Sequence, residues 1–111
     1  MANRPTRFYS NRQEKKVAHA VGGKQTVNSG ATAFSKGDVV TQLFLIEAKT
    51  VTDERKSFTL KKEWFDKNAE EAFAMGKPYS AVVFDFGDGV EHYVINEKLF
   101  RILVNYLEEN E

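Results

Sequence analysis

Glu47 and Lys49 stand two apart, directly after the apolar run Leu43-Phe44-Leu45-Ile46. In an extended strand that spacing puts both side chains on one face. Their context buries them in part, and buried charges must be paired or bind something. A salt bridge between the two satisfies this, and so does a binding site. Asp38 favours the site. In one continuous strand it would lie ~30 Å from Glu47 at ~3.3 Å per residue, on the opposite face. A hairpin turning near Thr41-Gln42-Leu43 removes both problems: Asp38 comes across from Glu47, and Val39 and Val40 pair with Ile46 and Leu45. Two carboxylates that close repel and raise each other's pKa. A divalent cation relieves the repulsion, and hard oxygen donors suit Mg²⁺, which takes one or two carboxylates plus water and a phosphate.

The charge distribution supports a phosphate-bearing partner. Over the 111 residues the net charge is zero, yet residues 1–49 carry eight Lys/Arg against three acids, and residues 50–111 carry eight against thirteen. One basic and one acidic surface would follow if the halves map onto faces; a solvated charge pattern is the plain alternative. The three acids of the basic half are Glu14, Asp38 and Glu47. Cysteine is absent, which excludes disulfides, zinc–thiolate sites and thiol catalysis and fits a reducing compartment. No apolar run approaches the ~18 residues of a membrane span, and no signal-peptide block opens the chain, so the expected location is the cytosol.

Several elements would position these residues. Residues 1–9 read as a basic arm and residues 10–111 as one domain, with 41% hydrophobic residues to build its core. Ser10, with Gln13 three residues on, predicts a capped helix to about Val21 that carries Glu14 and ends at Gly22-Gly23. Lys24–Asn28 reads as a short strand, and Asp38–Thr50 as the buried hairpin. Ser57–Met75 has helical spacing, with Leu60, Trp64, Phe65, Ala69, Ala72 and Phe73 directed to a core. Tyr79–Phe86 and Val90–Ile95 read as strands joined at Gly87-Asp88-Gly89, a hairpin turn rather than a phosphate loop. Asn96 caps a last helix whose apolar positions 99, 100, 102, 103, 106 and 107 form a stripe wider than one sheet face needs. The order is α-β-β-β-α-β-β-α, an α/β or α+β domain. His19 and His92 lack partners at ligand spacing and read as surface or structural groups.

Glu14 on the first helix, Asp38 after Lys36-Gly37, and Glu47-Ala48-Lys49 after an apolar strand together resemble the PD-(D/E)XK nuclease superfamily. That superfamily has a restriction-endonuclease-like core of order α-β-β-β-α-β, here followed by a C-terminal strand and helix around a mixed sheet. With the Ser29-Gly30 loop, the stretch from about Ser10 to Phe86 is similar to the Holliday junction resolvases of archaea and phages. The resemblance implies a metal-dependent endonuclease of four-way DNA junctions. Asp38, Glu47 and the Ala48 carbonyl would hold Mg²⁺ or Mn²⁺, with Glu14 as a further ligand or water orienter. Lys49 would align the attacking water or offset charge on the pentavalent transition state, and hydrolysis would leave a 5′-phosphate and a 3′-hydroxyl. Arg7, Arg12, Lys15 and Lys16, which flank Glu14, would meet DNA phosphates, together with Ser29, Ser35 and Lys36 from the loop. A symmetric junction needs two cuts, so a two-fold homodimer is expected, with the last helix or the adjoining Val90–Ile95 strand as a contributor. The alternatives are a nicking, repair or restriction-type nuclease of the same fold, or a non-catalytic DNA-binding or interaction module.

Overall fold

The computed structural model describes residues 6–26 and 38–110, with side chains from Phe8 onward. Three helices and five strands follow in the order α1 (Thr6–Val21), β1 (Lys24–Gln25), β2 (Asp38–Val40), β3 (Phe44–Lys49), α2 (Lys62–Ala74), β4 (Tyr79–Phe84), β5 (His92–Val94) and α3 (Glu97–Asn110). The strands form one mixed sheet in sequence order, β3 and β4 running parallel and every other pair antiparallel.

The hairpin forms as its sequence predicts. Asp38 pairs with Glu47, Val39 with Ile46 and Val40 with Leu45. Thr41 makes the turn: its hydroxyl accepts from the Leu43 and Phe44 amides, and its own amide donates to the Phe44 carbonyl at 3.0 Å. Alternation then sorts the sheet. Val39, Ile46, Ala81 and Val83 pack with Val17 of α1 on one face, joined by Ala18, Phe44, Ala48 and Ile95. Asp38, Leu45, Glu47, Lys49, Val82 and Phe84 point to the other face, toward α2.

The helices depart from expectation at their starts. α1 begins at Thr6, so Thr6–Tyr9 belong to the helix rather than to an arm, and Ser10 and Gln13 lie inside it instead of capping it. It still ends at Gly22, whose φ of 68° is open to glycine at little cost, and the Gly23 amide donates back to the Ala18 carbonyl at 2.8 Å. A Cβ on Gly23 would meet the Val40 carbonyl oxygen at 2.6 Å, so this glycine lets the chain pass against β2.

α2 begins at Lys62, five residues later than Ser57. Phe58 instead lies flat on Phe84, centroids 4.5 Å apart, which holds the preceding segment extended over the sheet. The inward face of α2 is Asn68, Glu71 and Ala72, with Trp64 half-buried. Phe73 is 86% exposed and Leu60 43%, which corrects their expected core placement. Asn68 fastens the helix: its amide donates to the Ala81 carbonyl at 2.9 Å, in a connection that runs from one parallel strand to the next.

β4 and β5 are shorter than read, because the chain from Asp85 to Glu91 forms a turn held by Asp85 and Asp88 accepting from the Gly87 and Val90 amides. Asn96 caps α3 as expected, its side-chain oxygen accepting from the Leu99 amide at 2.9 Å. Only Leu99 of that helix is buried. Beside it, Val21, Leu43, Phe44, Ile46, Tyr93 and Leu103 line an open apolar basin of about 510 Å³. No helix of the described residues is long and apolar enough to cross a membrane.

Candidate active site

Asp38 feels the charge of carboxylates on three other elements, Glu47 on β3, Glu71 on α2 and Glu14 on α1. Asp38 opens β2 and is 3% exposed. Burial, then the charges of Glu47, Glu71 and Glu14, push its carboxyl up to about 8, with only Lys49 pulling the other way. Glu14 is buried on α1; burial raises its pKa, while a hydrogen bond donated by the Gln25 side-chain amide, 3.4 Å long, opposes the rise. Glu71 is buried on α2, and its pKa is raised by burial and by Glu47 and Glu70 against the pull of Lys67.

Lys49 is held on three sides. Its ammonium pairs with Glu47 at 2.6 Å, so the salt bridge that the spacing offered as the plain alternative to a binding site is present. The same nitrogen lies 4.3 Å from the centroid of the Trp64 ring. Its main-chain carbonyl accepts from Gln13 of α1 at 3.1 Å. Gln13 is itself buried, donates to Glu91 at 2.9 Å and accepts from the Thr50 hydroxyl at 2.7 Å. One amide therefore ties the helix of Glu14 to the end of the strand of Lys49. Ala48 lies between Glu47 and Lys49 with its side chain turned to the α1 face.

This donor chemistry suits a hard divalent cation. Asp38 is a buried acid among three others, an arrangement whose ionised form needs a positive charge, and Lys49 supplies only one. Among the described residues no three His, Asp or Glu side chains are arranged to hold a metal by themselves. Asp38 and Glu47, paired across the hairpin, are the residues that could hold such a cation.

The expected phosphate contacts divide. Arg12 and Lys15 are exposed on α1. Lys16 is committed instead, bonding the Gly89 carbonyl and lying 3.9 Å from Glu91, so it braces the turn after β4. The Arg7 side chain and residues Ser29, Ser35 and Lys36 lie outside the described residues, as do Val27 and Asn28 of the expected first strand. His92 joins the ring contacts of Phe84 and Phe86, and His19 is exposed.

Sequence reasoning missed Glu71, Trp64 and Gln13. A signal existed for the first. Positions 64, 68, 71 and 72 form one helical face, and Glu71 is a charge in the middle of it. Trp64 was counted as core, yet its ring face covers an ammonium. No protein-family model matches the chain, and neither does any curated protein or solved structure.

Proposed function

We propose that this chain is a metal-dependent DNA endonuclease with a PD-(D/E)XK-type, restriction-endonuclease-like core, acting on branched DNA such as four-way junctions. The observation that carries the reading is the pairing of Asp38 with Glu47 across the β2–β3 hairpin, with Lys49 on the same face. Asp38 and Glu47 would hold Mg²⁺ or Mn²⁺, with the Ala48 carbonyl beside them. The bound cation supplies Lewis acidity that polarises a phosphodiester and acidifies water. Glu14 orients the attacking water from α1. Lys49 offsets the charge that builds on the phosphoryl oxygens as the water oxygen bonds to phosphorus and the bond to the 3′-oxygen breaks. The products are a 5′-phosphate and a 3′-hydroxyl. Exposed Arg12 and Lys15 contact backbone phosphate without reading sequence.

We further propose a two-fold homodimer, which gives a symmetric junction its second cut. Support comes from α3, whose Phe100, Leu103, Tyr106 and Leu107 are exposed beside the apolar basin.

The test is cleavage of a synthetic four-way junction against linear duplex with the same arms, with Mg²⁺, Mn²⁺ or chelator. Junction cleavage that needs the cation and is lost in Asp38→Asn is expected. Equal cutting of both substrates would point to a nicking, repair or restriction-type nuclease. DNA binding without cleavage in any metal would leave a non-catalytic module.

A further inference from the structure

Lys49 has two partners for its charge, and they differ in kind. The first is Glu47, 2.6 Å away; the second is the face of Trp64, 4.3 Å from the nitrogen. Under the endonuclease reading, on which this inference rests, Glu47 is required by a cation. A carboxylate that turns its electron density to a divalent ion holds a neighbouring ammonium less well, and the ion itself repels that ammonium. The ring makes no such exchange, because its attraction comes from a fixed quadrupole with no competing ligand.

We propose that Trp64 is the positioning residue for Lys49, holding the ammonium over the site when Glu47 is engaged elsewhere. Its surroundings make it a rigid surface. Trp64 sits in the first turn of α2, where its amide donates to the Lys61 carbonyl at 3.0 Å. Phe58 lies 6.0 Å from its ring and stacks in turn on Phe84, the β4 residue paired with Lys49. One turn further along, Asn68 pins the same helix to β4. The wall behind the ammonium is thus fastened to the strand beside Lys49. Lys61 approaches the ring only to 5.9 Å, so the face belongs chiefly to Lys49.

The decisive contrast is between an aromatic and an aliphatic side chain of similar bulk. Trp64→Leu fills much of the space but offers no quadrupole; Trp64→Phe keeps a weaker one. On a DNA substrate the full chain carrying Trp64→Leu should lose about five- to thirtyfold in kcat with KM unchanged, and Trp64→Phe should recover most of that. In a Lys49→Met background the same Trp64→Leu change should have no further effect on the residual rate. Equal rates for the Leu and Phe variants, or a loss that persists without Lys49, would overturn the assignment. A second arm needs no cleavage. Trp64 is the single tryptophan, so indole emission reports the surroundings of this one ring. Lys49→Met should change that emission more than Lys61→Met does, in protein whose circular dichroism is unaltered. Unchanged emission overturns the contact. Inert wild-type protein that shows the emission change would refute the endonuclease reading and leave the Trp64–Lys49 contact standing.

Discussion

Asp38 is where stability and activity conflict most directly. Its carboxyl is raised from 3.8 to about 8, mainly by burial and then by its acidic neighbours. A folded-state pKa above the unfolded one means that the native protein holds the extra proton in between. The contribution of Asp38 to stability is therefore fully present below 3.8, declines as pH rises and is lost above about 8, at no more than about 1.4 kcal/mol per pH unit. Asp38→Asn carries no such penalty. In chelator its melting temperature should match the wild type near pH 4 and exceed it at pH 8, with junction cleavage abolished and DNA binding kept. Mg²⁺ or Mn²⁺ should raise the wild-type melting temperature at pH 8 and leave the Asn variant unmoved. A wild type that gains stability between pH 4 and 8 would contradict this account. Lys49→Ala should keep the Mn²⁺-induced melting shift while losing most turnover, because in the proposed reaction its ammonium would serve the phosphate rather than the cation.

At the scale of elements, the site depends on how α1 meets the end of β3. Gln13 makes that joint with bonds to the Lys49 carbonyl, the Thr50 hydroxyl and Glu91. Gln13→Leu has a similar volume and takes one hydrogen-bond partner from each of those groups. The expected cost is about 1–3 kcal/mol, read as a lower urea midpoint with an unchanged slope. The outer side of α1 should behave differently. Charge reversal at Arg12 or Lys15 should weaken binding to every DNA alike and flatten its salt dependence, because these exposed cations would meet phosphate. Lys16 is a poorer choice for that test: reversal there also breaks its contacts with Gly89 and Glu91. Binding that keeps its salt slope in the Arg12 and Lys15 variants would remove α1 from the interface.

Among the described residues, α3 has no neighbour along most of its length. Residues 100–110 are all exposed, Phe100 at 58% and Tyr106 at 62%. A helix of this length is marginal in water unless it packs on something. A second copy of the chain would cover it, in keeping with the homodimer proposed above. Sedimentation across micromolar concentrations should show a dimer, and the pair Phe100→Asp and Leu107→Asp should give a folded monomer that cuts a junction in one arm only. A wild-type chain that stays monomeric, alone and on DNA, would show that this face serves something else.

The hairpin, the end of α1 at Gly22 and the Asn96 cap were legible in the residues themselves. Each is decided within a few positions, by alternation, by a backbone angle open to glycine, or by one side chain reaching a nearby amide. That locality is also why Asp38, Glu47 and Lys49 could be placed together from spacing alone. The rest of the site required the tertiary structure. Glu71, Trp64 and Gln13 reach Asp38 and Lys49 from other elements, and no local preference says which helix face lies over which strand end. The same limit misplaced Phe73: helical periodicity marks an apolar residue, but only the position of α2 on β3 and β4 determines which positions turn inward. It also explains Ser10 and Gln13, which carry a capping pattern yet sit inside a longer helix. There the bonds that Gln13 makes to Lys49 at the end of β3 and to Glu91 just before β5 hold α1 against the sheet, an outcome of packing that its spacing from Ser10 does not contain.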